Sequence, residues 1–200
     1  MLTCSTKTFF LFLSLFTLTT MKAQDNNLPY YEIPTAPEDY SPGNVLTRVI
    51  DGLGYRYHWA SEGLRSEDLE HEFYEEGRNC IETIQHIYDL SVTIRNVAEH
   101  QPNIRPYQKN EMEYEELRAQ TLENLSIARE LFLNASADEM ESFSIVFQNG
   151  ERKSEYPLWN LMNGQLADAI YHTGQLIIFR RASGNPLNSK VRVFTGTNAK

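Results

Sequence analysis

The sequence predicts an all-α fold, a four-helix bundle with a small β-hairpin between its third and fourth helices. Three observations carry that prediction. Apolar residues recur at spacings of three and four along four long stretches, as a helix with one buried face requires. Breaks rich in proline and glycine separate the stretches. One short run instead reads as two strands joined at Asn149-Gly150. No internal repeat is visible.

Residues 1–24 stand outside the predicted fold. Lys7 precedes an apolar run from Phe9 to Leu18 that ends in Met21-Lys-Ala-Gln, the pattern of a secretory signal peptide cleaved near Ala23 or Gln24. That run is shorter than the about 20 residues of a spanning helix, and Cys4 precedes it where a lipoprotein cysteine would follow. The expectation is an exported, soluble chain with no stable membrane insertion. Without Lys7 and Lys22 the remainder carries 16 basic and 27 acidic residues, a net of −11. Such a charge argues against a nucleic-acid or anionic-membrane partner. Cys80 is then the only cysteine, so no intramolecular disulfide forms and stability must come from a core. About 175 residues suffice for one such domain.

Residues 25–41 form an irregular arm containing Pro29, Pro34 and Pro37, with Tyr30, Tyr31 and Ile33 available to pack on the bundle. The bundle spans 42–186. Ser41-Pro42 offers a capping hydroxyl and a proline at the first helical position. Leu46, Val49, Leu53, Tyr57, Ala60 and Leu64 give the first helix, 43–64, in which Gly52 and Gly54 mark close packing. An acidic connection, 65–74, follows, with a solvated His71. The second helix, 75–99, buries Thr83, Ile87, Leu90, Thr93, Ile94 and Val97, and places His86 on the rim of that face. Pro102 and Pro106 break the chain. The third helix, 111–134, begins with four glutamates suited to the positive end of its dipole, and Leu117, Thr121, Asn124, Leu125, Ala128, Leu131 and Phe132 line its inner side. After a capped turn at Ser136 and the hairpin of 143–156, the fourth helix runs continuously over 157–182 to Arg180-Arg181 and Gly184-Asn185-Pro186. The tail, 187–200, is polar and without period.

The fourth helix holds the feature that needs explaining. At 100° per residue Leu158, Leu161, Gln165, Asp168, His172, Leu176 and Phe179 share a face roughly 80° wide. A carboxylate and an imidazole one turn apart on an apolar face must be hydrogen-bonded, paired or bound to a metal. With His86 from a facing helix they make two imidazoles and one carboxylate, ligands suited to Zn, Ni, Mn or Fe with positions left open. Spacing alone favours a buried Asp–His hydrogen bond over a metal. His58 is a further candidate ligand, though a packing role suits it better; His100 is expected to serve a helix dipole and Cys80 to be a small buried hydrophobe. Glu62, Glu67 and Asp68 are available as general bases, but nothing in the sequence places them near an ion.

Tyr55-Arg-Tyr-His-Trp-Ala, Glu82-Thr-Ile-Gln-His86-Ile, Tyr171-His172-Thr-Gly-Gln175 and Arg181-Ala-Ser-Gly-Asn-Pro186 together resemble the DinB/YfiT-like family over most of residues 42–186. The resemblance implies an up-down-down-up four-helix bundle. It also implies a divalent metal held by a histidine on the second helix and two on the fourth, four residues apart. His86 matches the first position and His172 the last; Asp168 stands where the family usually has histidine. An aspartate there is a shorter and harder ligand, which shifts preference away from the softest metals.

Two functions from different classes follow. The resemblance implies a metal-dependent enzyme; hydrolysis of a small substrate suits an exported chain better than transfer to a cytoplasmic thiol. The alternative is a non-catalytic exported bundle, a binding or homodimerising protein in which His86, Asp168 and His172 form a polar network.

Overall fold

A computed structural model describes residues 28–108 and 110–199; the leader expected over 1–24 lies outside them. The described residues are mostly helical, with small sheets. Four long helices, α1 (Pro42–Ser61), α3 (Cys80–Ala98), α4 (Tyr114–Phe132) and α7 (Ala167–Ala182), enclose the core. α4 packs on both α1 and α3, and α7 closes the other side against the same two. Leu46, Ile50, Leu53 and Tyr57 meet Ile84, Ile87 and Ile94 and Leu117, Leu122 and Leu125 there, all essentially without exposure. Each such side chain contributes roughly 1.5–3 kcal/mol of transfer free energy.

Local chemistry explains most helix ends. Pro42 opens α1, but the Ser41 hydroxyl does not cap it. Asp39 Oδ1 takes over, accepting from Ser41 N at 2.9 Å and Asn44 Nδ2 at 2.8 Å. A capping box between Asn79 and Glu82 starts α3 at Cys80, not at 75 as the periodicity suggested. His100 ends this region in the left-handed conformation (φ 55°) and stacks on Phe143 at 4.6 Å, a turn role in place of the expected dipole role.

The acidic connection contains a one-turn helix, α2 (Ser66–Leu69). His71 is half-buried against Phe73 and Phe179, not solvated. A second capping box, between Ser136 and Glu139, starts α5 (Ala137–Ser142). The hairpin forms as β2 (Ser144–Asn149) and β3 (Arg152–Pro157), antiparallel, with Gly150-Glu151 as the loop and Gly150 at φ 59°. A short strand not foreseen from sequence, β1 (Asn103–Ile104), adds to β2 in parallel.

The fourth helical segment is interrupted. It consists of α6 (Leu158–Leu161), a π-turn at Met162–Leu166, and α7. At its far end Arg180 is buried and donates to the carbonyls of Ala60 and Glu62 and to Asn185 Oδ1, while Arg181 is exposed. Asp68, fully buried, receives Arg65, Ser183 and Asn185 and ties this end to α2. Burial pushes the Asp68 carboxyl up, but those hydrogen bonds outweigh it and hold it well below the usual range.

The arm is fixed on α1. Tyr30 is buried, and a Cβ on Gly54 would meet its ring at 2.5 Å, so a glycine is required there. Gly52 has no such neighbour beyond the Arg56 side chain. The tail is ordered too: β4 (Val191–Arg192) pairs with β5 (Thr197–Asn198). Tyr55 OH lies 3.0 Å from Thr197 O and accepts from Arg192 N, while Ile33 N donates to Gly196 O. Among the described residues no helix is long and apolar enough to cross a membrane.

Candidate metal centre

The π-turn decides where Asp168 and His172 lie. A π-turn contains one residue more than an α-turn, so the helix after it is rotated by one position relative to the helix before it. The buried positions accordingly skip from Leu161 to Leu166 and continue through Ala169, Thr173 and Leu176. The single apolar face expected from Leu158 to Phe179 is therefore broken. Asp168 and His172 each precede a core residue, Ala169 and Thr173, and His86 precedes Ile87 in the same way. All three stand on the rim of the core. Asp168 is 44% exposed, which corrects the expectation of a buried carboxylate and leaves one side of the cluster open to solvent.

The sequence-predicted residues do converge. His86 Nε2 is 3.1 Å from Asp168 Oδ2, and His172 Nε2 is 3.3 Å from Asp168 Oδ1. The two imidazoles meet edge to face, with centroids 4.6 Å apart. One donor atom from each residue lies within 4.8 Å of the other two. An ion with bonds of about 2.0–2.2 Å separates neighbouring donors by about 2.9–3.5 Å; each Asp–His spacing lies in that range, the two running to different carboxylate oxygens. Burial lowers the His86 pKa below its ordinary value; the Asp168 hydrogen bond opposes this and the Arg78 and His172 charges add to it. The ring is thus neutral at pH 7, the form that ligates.

Gln175, quoted in the motif but given no role there, supplies the remaining contact. His172 Nδ1 is 2.8 Å from Gln175 Oε1. An N–H donated to that oxygen leaves the Nε2 lone pair of a neutral ring facing Asp168 Oδ1, acceptor against acceptor. A cation between them, a metal ion or a proton, resolves the conflict. Turning the Gln175 amide over resolves it differently: the amide then donates to Nδ1, and Nε2–H donates to the carboxylate. The i, i+3 spacing of His172 and Gln175 on a helix was the signal available in the sequence.

The other candidates lie elsewhere. His58 is buried, with its Nδ1 2.8 Å from Pro29 O. Cys80 is a buried hydrophobe, its thiol pushed up to about 12 mainly by burial and so protonated. Glu62 pairs with Arg118, and Asp68 belongs to the network with Arg65 and Ser183. Glu67 joins no metal-competent group among the described residues. Among the described residues, the donor set that could hold a divalent ion is therefore His86, Asp168 and His172. The chain matches no family model, no curated protein and no solved structure.

Proposed function

We propose that the chain is an exported four-helix bundle of the DinB type that holds a divalent metal through His86, Asp168 and His172 and hydrolyses a small substrate. The observation that carries this reading is the convergence of two imidazole Nε2 atoms on one half-exposed carboxylate, with Gln175 against the remote nitrogen of His172. That arrangement matches the outer hydrogen bond by which metal-ligating histidines are usually oriented. The long connection between the adjacent α3 and α4 suits a parallel pair, as up-down-down-up order requires. The resemblance of the His172-Thr-Gly-Gln175 stretch to the family adds to this.

Within the site, His86 and His172 would supply imidazole nitrogens and Asp168 a carboxylate oxygen, a mixed set suited to Zn, Mn, Fe or Ni. A divalent ion held there supplies Lewis acidity and activates water near neutral pH. The open side at Asp168 admits the substrate.

A second reading has its own observation. Each oxygen of Asp168 faces one Nε2, the geometry of a carboxylate that accepts from both rings. In that form the cluster is a hydrogen-bond network in a non-catalytic binding or homodimerising protein. Thermal melting separates the two. On the metal reading Zn, Ni or Mn at about a hundred times its Kd stabilises the protein by roughly 2.7 kcal/mol, and His172→Ala abolishes the shift. Metal-stimulated cleavage of small esters or amides, lost in the same variant, supports hydrolysis. A melting curve indifferent to every metal leaves the network reading.

A further inference from the structure

A sizeable cavity lies away from the triad. It holds about 760 Å³ and lies between the start of α1, α5, the hairpin and α6. That volume is in the range of small-molecule sites. Val45, Leu46, Met140, Phe143, Leu158 and Met162 give it apolar walls. Tyr156, 44% exposed, and Trp159, 74% exposed, also line it. A contiguous exposed apolar patch rimmed by polar residues is the mark of a ligand-binding groove.

The charge around the cavity is one-sided. Glu141 and Glu155 line it, and no lysine, arginine or histidine does. Both glutamates are exposed, and neither forms a salt bridge or side-chain hydrogen bond among the described residues. Two carboxylates without an ion-pair partner among the described residues repel an anion and attract a cation, and the aromatic rings of Tyr156 and Trp159 can add attraction of the same sign. The chain's net charge of −9 acts in the same direction at longer range.

We infer that this cavity is a binding site for a small amphipathic cation, a molecule with an apolar body and an amine head. The apolar body fills the space between Val45, Met140, Phe143 and Met162, and the amine sits at the edge near Glu141, Glu155 and the exposed rings. The inference is independent of the metal reading, since none of the three candidate ligands lines the cavity.

Isothermal titration calorimetry with three probes of equal body tests it: 4-phenylbutylamine, 4-phenylbutanol and 4-phenylbutyrate, at low salt. The amine is expected to bind at least about fivefold more tightly than the alcohol, and the carboxylate most weakly. The double variant Glu141→Gln/Glu155→Gln brings the amine to within about twofold of the alcohol without changing the alcohol. Val45→Trp, at a position already 43% exposed and so tolerant of substitution, fills the cavity and weakens all three probes. No saturable binding, an amine no tighter than the alcohol, or a Val45→Trp protein that binds as before overturns the assignment. So does a dimer in sedimentation velocity that Trp159→Ala dissociates, because the face then belongs to a second copy.

Discussion

At the residue scale, His172 is held from two sides, by Asp168 at Nε2 and by Gln175 at Nδ1. If Gln175 orients a ligand, Gln175→Ala lowers metal affinity by about 10- to 100-fold while the melting temperature without metal hardly moves. Competition with a chelating dye measures this, and an unchanged affinity would remove Gln175 from the site. His58 gives a pH prediction that does not involve the cluster. Burial lowers its pKa below the ordinary value, against the pull of its bond to Pro29 O. The unfolded chain therefore binds this proton more readily than the fold. Stability falls as pH drops through about 6.5 and is regained above it. Denaturant titrations at several pH values should show this slope, and His58→Gln should flatten it.

At the element scale, the long helices were legible in the sequence because each carries an apolar stripe of period three to four. Leu117, Thr121, Leu125, Ala128 and Phe132 are buried as that period requires. The start of α3 was misplaced, although the Asn79 and Glu82 capping pair was available to read. The π-turn was not legible in that way: Asn163-Gly164 is an ordinary dipeptide, and only the packed helix reveals a five-residue step between Leu161 and Leu166. The candidate residues converge regardless, since Asp168 and His172 lie beyond the turn and keep their one-turn spacing. Their exposure was misjudged because Leu158 and Leu161 were assigned the same phase. Deleting Gly164 forces that phase, so Leu161 and Leu166 can no longer both enter the core. A loss of about 2–5 kcal/mol in chemical denaturation is expected, and a neutral deletion would contradict the account. Asp68→Ala is expected to cost about 2–4 kcal/mol, because it leaves the Arg65 and Ser183 partners without their acceptor.

At the scale of the whole molecule, the arm and tail are parts of one surface laid on α1. Tyr55, buried, bonds the tail to α1, and the bonds from Ile33 N to Gly196 O and from Asn198 Nδ2 to Tyr31 O join arm to tail. Neither segment has a period from which this docking was readable; Gly54 was the trace it left, a glycine kept clear for the ring of Tyr30. The helices thus frame a cluster whose three members come from two different elements, α3 and α7, brought together by their packing. That this cluster is a metal centre is the claim on which the proposed function rests. Elemental analysis of the purified protein, with His86→Ala, Asp168→Ala and His172→Ala beside it, tests it most directly. The account predicts about one equivalent of a divalent transition metal per chain in the wild type and a marked loss in all three variants. A wild-type protein that carries no metal, and takes none up when Zn, Ni, Mn or Fe is supplied, would contradict it.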